Sequence, residues 1–240
     1  MKIRKIEIPF ENQMTRTQAV LGLIYLPVHA AVLPLLLALL QSWSPDPISD
    51  AAMNLAYYAI GLVFCLTVMH SFLRRAFDRL ADNLRLCLLT IVLALLMDYV
   101  LSTVAGLLLM LVDGVVENPN NAEIMDLAEQ NSGTVKAIAI FLAPIVEEIL
   151  FRGALFGSIR TRSRLWAYVV SAAIFSLYHI WQYAVVNGDP AMLLYALQYV
   201  PVSIVLAWAY ERSGSIWTSI FFHMGFNAMS FYVLSIAETL

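Results

Sequence analysis

The sequence predicts an all-α polytopic membrane helix bundle of about seven transmembrane helices, within a range of six to eight. Three observations carry this reading. The 240 residues are 61% hydrophobic and only 13% charged, against ~45–50% and ~25% in a soluble domain. Apolar windows long enough to cross ~30 Å of hydrocarbon as a helix recur along the whole chain. The basic residues fall almost entirely in alternate loops between those windows. Helix is the required form, because lipid offers the backbone polar groups no partner and the strict alternation of a β-barrel is missing.

The windows lie near 18–40, 54–73, 84–112, 134–157, 165–186, 190–210 and 215–236. The first follows a basic segment with Lys2, Arg4 and Lys5. It exceeds the ~7–15 residues of a signal-peptide core, lacks a small-residue cleavage site, and reads as a retained span. The third is the longest and calls for tilt. Between the third and fourth, Asn118-Pro119-Asn120-Asn121 opens a short helix over 123–130. Its Ile124, Leu127 and Ala128 share one face, suited to the membrane surface or to a solvated connector. Asn187-Gly188-Asp189-Pro190 marks the tightest loop. This divides the chain into a three-helix region with an external connector, 1–133, and a second membrane core, 134–240, within one integral domain.

Twelve of the 14 lysines and arginines lie before the first span, between spans two and three, after span four and after span six. Lys136 and Arg152 are the other two. Loops 41–53, 113–133 and 187–189 hold no lysine or arginine, and 113–133 carries five acidic residues. The positive-inside rule then predicts a cytoplasmic N-terminus. Cys65 and Cys87 both sit in apolar segments, which suits neither a disulfide framework nor a thiolate metal site.

Glu147, Glu148 and Arg152 stand about ten residues from either end of the fourth window. An ionisable side chain there costs roughly 2.5–3.5 kcal/mol on insertion scales, so it marks function by default. Glu148 and Arg152 are i,i+4 neighbours and can pair, which a purely structural ion pair would also explain. Glu147 points about 100° away and is left free. Pro144 removes a backbone hydrogen bond just before them and is expected to kink and widen the helix. His179 shares a stripe with Ser176, Gln182 and Tyr183, and His223 shares one with Ser219, Asn227 and Ser230. Both histidines should therefore face the bundle. His29 and His70 have no such company, and Asp98, a further buried carboxylate, reads as a packing residue or as one that supports the site from behind.

A glutamate and two histidines can hold a metal or can activate water without one. H-E-x-x-H is absent from the chain. A glutamate in a low-dielectric pocket is a usable general base with a histidine sharing the proton transfer. A histidine and an asparagine one turn apart present donors to one point, as an oxyanion hole requires. A transporter would also place Glu, His and Asp at mid-membrane, but the chain shows no inverted repeat. A non-enzymatic membrane partner, with a structural polar cluster, is the main competing class.

E-E-x-x-x-R (Glu147, Glu148, Arg152), F-x-x-x-H (Phe175, His179) and H-x-x-x-N (His223, Asn227), in this order, resemble the CPBP intramembrane protease family. That family includes CAAX prenyl endopeptidases and proteins linked to bacteriocin self-immunity. The likeness covers roughly 134–230. It implies an intramembrane endopeptidase in which Glu147 and His179 activate water, His223 and Asn227 bind the oxyanion, and Glu148 and Arg152 give support. No cofactor is expected on this reading, with zinc on Glu147, His179 and His223 as the alternative. The partners are a peptide or membrane-protein substrate and the lipid bilayer, with no nucleic acid. A bacterial cell membrane is the expected location, with access from the cytoplasmic side. Counted from the cytoplasmic loops, His179 comes out deeper than Glu147 and His223. A span-five start near Ala167 would bring the three together.

Overall fold

The computed structural model describes residues 10–113 and 118–237, and every expected apolar window in them is helical. Helix α1 (Arg16–Trp43) opens on a capping box, in which the Thr15 hydroxyl accepts from the Gln18 N–H and the Gln18 side chain accepts from the Thr15 N–H. After α2 (Asp50–Val68) the chain turns at Met69 into α3 (His70–Asp82). The segment 74–83, expected as a loop, is thus a separate amphipathic helix. Helix α3 buries Phe72, Leu73, Ala76 and Leu80, leaves Arg74 and Arg75 exposed, and lays Arg79 against Gly214. Helix α4 (Leu84–Asp113) is the longest uninterrupted α-helix among the described residues.

Asn118 caps α5 (Pro119–Ala137), whose backbone leaves helical geometry at Asn131. The apolar face expected there does not rest on lipid. Leu127 and Ala128 are buried with Ala51 and Val135, and Ile124 and Phe231 pack against them. The fourth pass continues through a π-helical turn (Ile138–Leu142), α6 (Ala143–Glu147), a longer π-helical stretch (Glu148–Phe156) and α7 (Gly157–Arg160). Helix α8 (Arg164–Tyr178) ends at His179, and α9 (Trp181–Val186) completes that pass. The sixth pass starts as a 3₁₀ helix (Pro190–Tyr199) and becomes α10 (Val200–Ser213). Helix α11 (Ile216–Ala237) is the last.

The loops sort to two ends. At one, Arg75 donates to the Gln13 carbonyl, Arg160 and Arg164 pair with Glu211, and Ser215 and Trp217 donate to the Ala76 and Leu73 carbonyls. At the other, Gln41 bonds Ile48, Asn118 bonds Gln198, Asn120 bonds Tyr199, and Tyr183 bonds Glu123. The chain passes between these ends seven times among the described residues, as the charge pattern requires. Four stretches, Arg16–Trp43, Asp50–Val68, Leu84–Leu111 and Pro190–Ser213, are long and apolar enough to cross a membrane by themselves. Apolar side chains such as Leu36, Val63 and Leu96 are 56%, 62% and 60% exposed, a surface suited to lipid rather than water.

The core lies toward the basic end. Phe72, Ile149, Leu150, Phe151, Phe156, Leu206, Tyr210, Ile220 and Phe222 are fully buried in one cluster. Helix α1 reaches it because Gly22 has no side chain: a Cβ there would stand 2.6 Å from the Ala154 Cβ.

Two backbone defects share one design. In the π turn Val28–Val32 the N–H of Leu33 bonds the Val28 carbonyl, so the next carbonyl, that of His29, would look to residue 34. Residue 34 is proline and has no N–H. The Tyr57 hydroxyl donates to the His29 carbonyl instead, at 3.1 Å. In the turn Ile138–Leu142 the N–H of Ala143 bonds Ile138, and the Ala139 carbonyl would look to Pro144. The Asn227 amide donates to it at 2.7 Å. Each orphaned carbonyl is satisfied by a side chain from another pass, as a buried acceptor requires.

Candidate active site

Glu147 closes α6 and Glu148 opens the π-helical stretch, so the two carboxylates diverge where the helix is widest. The expected widening near Pro144 is present as π-helical turns before and after α6. Glu148 and Arg152 are fully buried and pair at 2.9 Å. Arg152 also donates to the Ser203 hydroxyl and carbonyl, and its guanidinium lies 3.9 Å from the centre of the Phe175 ring. Glu148 accepts from Ser219 at 2.5 Å and from His223 Nδ1 at 3.0 Å. Every charge in this group has a partner, which is the condition for burying it.

Glu147 is outside that network. Its Oε1 accepts from the Tyr58 hydroxyl at 3.0 Å, and its Oε2 stands 3.9 Å from both His179 Nε2 and His223 Nε2. His179 Nδ1 lies 2.9 Å from the Phe175 carbonyl, an acceptor only, so Nδ1 carries the proton and Nε2 turns its lone pair to Glu147. A separation of 3.9 Å is too long for a direct hydrogen bond and is one that a single water spans. Asn227 lies one turn beyond His223, lines the same cavity, and has a second N–H beyond the one spent on Ala139. The structure therefore gathers Glu147, His179 and His223 at one point, with Asn227 at its edge and Glu148 and Arg152 behind.

Helix α8 starts at Arg164, capped by Ser163, rather than near Ala167. The three side chains meet without the later start. His179 is the residue that ends α8, so its ring is not held on a continuous helical stripe. Asp98, on α4, bonds Ser102 one turn on and lies within electrostatic reach of His223.

Several contributors gave no signal in the sequence. Tyr58 touches Glu147 directly. Tyr178 pairs with Tyr57 at 2.9 Å, and the Tyr199 ring stacks on His179 at 4.4 Å. His29, expected to stand alone, is fully buried and stacks on Tyr57 at 4.3 Å. Gly61 admits it, since a Cβ there would lie 3.0 Å from the His29 ring and 2.9 Å from Val146.

Both second-neighbour contacts, Phe175 to His179 and Glu148 to His223, aim Nε2 at Glu147, which is how metal-binding histidines are oriented. Among the described residues, however, no group of three or more His, Cys, Asp or Glu stands at spacing that holds a metal ion.

The site lines a cavity of about 800 Å³. Besides Glu147, His179, His223 and Asn227, its wall includes Gln41, Asp50, Asn54, Asn118, Asn120, Glu123, Tyr183 and Gln198, and, among the described residues, no lysine or arginine. These belong to the acidic end of the bundle. On the other side of Glu147, toward the basic loops, lies the fully buried core cluster.

Residues 131–229 match the family described as type II CAAX prenyl endopeptidase Rce1-like. The protein named "Putative membrane peptidase YdiL" of Bacillus subtilis is 29% identical over 112 residues, 46% of this chain and 41% of that protein. "UPF0177 protein YxdF" of Lactococcus lactis is 26% identical over 104 residues, 43% of this chain and 52% of that protein. The matches thus span about half the length of these relatives or less. No solved structure matches the chain. The matched region contains all three motifs and supports a membrane protease at the level of family.

Proposed function

We propose that this chain is an intramembrane endopeptidase of the glutamate type, a reading supported by the match of residues 131–229 to the type II CAAX prenyl endopeptidase Rce1-like family. The observation that carries the reading is the convergence of His179 Nε2 and His223 Nε2 on one Glu147 oxygen, each at 3.9 Å. A water between Glu147 and His179 loses a proton to this pair as its oxygen attacks the scissile carbonyl carbon. The new C–O bond leaves the former carbonyl oxygen negative.

His223 and Asn227 would receive that charge. His223 Nδ1 gives its proton to acceptor-only Glu148, so a donor at Nε2 requires the doubly protonated ring. Glu148, itself neutralised by Arg152 on one side, offsets the imidazolium charge. The free N–H of Asn227 is the second donor, and preorganised donors of this kind are worth roughly 10²–10³ in rate each. Collapse of the tetrahedral intermediate breaks the C–N bond as the proton held by Glu147 and His179 passes to the departing amine.

Glu148, Arg152 and Ser219 position His223 rather than touch substrate. The substrate is a peptide or protein segment within the membrane, and a bacterial cell membrane with a cytoplasmic N-terminus fits the loop charges. The test is proteolysis of a peptide library by the purified, detergent-solubilised protein, with new N-termini identified by mass spectrometry. Absence of any new terminus from a folded preparation would remove the proposal.

A further inference from the structure

The catalytic residues and the basic loops lie on opposite sides of the core, and this fixes the side from which substrate arrives. The passes contribute to the cavity wall mainly from their halves nearer the acidic end, with Glu147, Val202 and His223 the lining residues that reach furthest toward the basic end. Helix α2 gives Asp50 and Asn54 but nothing beyond Tyr58; α4 gives only Ser102 and Gly106; the sixth pass gives Gln198, Tyr199 and Val202. On the other side of Glu147 the chain enters a run in which Ile149, Leu150, Phe151, Ala154 and Phe156 are wholly buried against α1, α8, α10 and α11. The core closes the cavity toward the basic end, and the cavity lining runs to residues of the acidic end, where we place its mouth.

Resting on the endopeptidase reading, we propose that the enzyme cuts peptide segments presented from the extracytoplasmic face, and not cytoplasmic chain ends. Among the described residues, nine arginines (Arg16, Arg74, Arg75, Arg79, Arg85, Arg160, Arg162, Arg164 and Arg212) lie at the closed end, which by the positive-inside rule puts that end in the cytoplasm. The open end then faces outward. The mouth selects as well as admits. Gln41, Asn118 and Asn120 spend amide groups on bonds that hold that end together, which leaves Asn54 and the Gln198 amide nitrogen to meet an extended backbone. Asp50 and Glu123 add negative charge with no cation on the wall to balance it, which disfavours an acidic segment and suits a neutral or basic one. The substrate class is therefore a neutral or basic extended segment of an exported or membrane-anchored polypeptide, exposed outside the membrane.

Two measurements test this. Native Cys65 and Cys87 are buried, so single exposed cysteines report position in a Cys65→Ser, Cys87→Ser background. Asn121, exposed beside the mouth, and Arg162, exposed in a basic loop, are suitable sites. In intact cells an impermeant maleimide should label Asn121→Cys and leave Arg162→Cys untouched until the membrane is permeabilised. The reverse pattern overturns the proposal. In parallel, one neutral reporter segment is tethered to the outer face and an identical one to the inner face, each beside wild type and Glu147→Gln. Cleavage of the outer reporter alone, lost in Glu147→Gln, supports the proposal. Cleavage of the inner reporter alone, also lost in Glu147→Gln, overturns the entry side while the endopeptidase reading stands. If neither is cut, that reading is the one damaged, and the labelling pattern still decides the side.

Discussion

Asn227 donates its side-chain amide to the carbonyl of Ala139 at 2.7 Å, across 88 positions of sequence. The bond exists because a π turn and Pro144 together leave that carbonyl with no backbone donor. The residue we propose for the oxyanion hole is thus held in place by a defect in the helix that carries Glu147.

This link predicts a double-mutant cycle. Asn227→Ala should destabilise the protein by about 1–3 kcal/mol, the cost of an unsatisfied buried acceptor. Pro144→Ala supplies an N–H to the same stretch, so in that background the loss from Asn227→Ala should shrink. Thermal unfolding of the four proteins in detergent measures both costs. Equal costs in the two backgrounds would show that the carbonyl does not need the asparagine.

Glu148 should prove more important to stability than Glu147. Glu148→Gln leaves Arg152 buried beside a neutral amide, and breaking such a pair costs on the order of 3–5 kcal/mol. Replacing both, Glu148→Gln with Arg152→Met, removes the stranded charge and should recover part of the stability without restoring proteolysis. A Glu148→Gln protein that melts with the wild type would contradict the assignment.

Tyr58→Phe removes only the hydroxyl that bonds Glu147. A hydrogen bond to a charged group is worth about 1.5–3 kcal/mol, so kcat should fall roughly 10- to 100-fold. KM should change little, since the bond holds the base rather than the substrate. An unchanged kcat would make Tyr58 a packing residue.

Much of this arrangement was legible in the sequence because charge stands out in lipid. Glu147, Glu148, Arg152, His179 and His223 are polar residues inside apolar windows, and the loop cations gave seven passes that the contacts bear out. Tyr58, Tyr178 and Tyr199 were silent, since a tyrosine in such a window looks like core until its hydroxyl partner is known. His29 was passed over because its neighbours are aromatic, not polar. The break at His179 follows from no glycine or proline within SLYHIWQY. Helix α3 did carry a signal: Phe72, Leu73, Ala76 and Leu80 fall on one helical face, obscured by four charges in the eight residues from Arg74 to Ala81. The side on which the cavity opens was beyond reach, because counting residues from a loop gives depth but not which neighbours fill the space.

The metal question has its own readout. With water activated by Glu147 and His179, prolonged chelation should leave activity intact and purified protein should hold substoichiometric zinc. Stoichiometric zinc, whose removal abolishes cleavage and whose return restores it, would assign Glu147, His179 and His223 as ligands with a fourth position for water.

The most direct measurement compares wild type and Glu147→Gln in the peptide-library assay, with unfolding of both recorded alongside. Tyr58 can donate to the amide oxygen as it does to the carboxylate, so the variant should fold and melt like the wild type. It should produce no new N-termini, because an amide cannot take the proton from water. A well-folded Glu147→Gln protein that cuts the library at the wild-type rate would contradict the account at its centre.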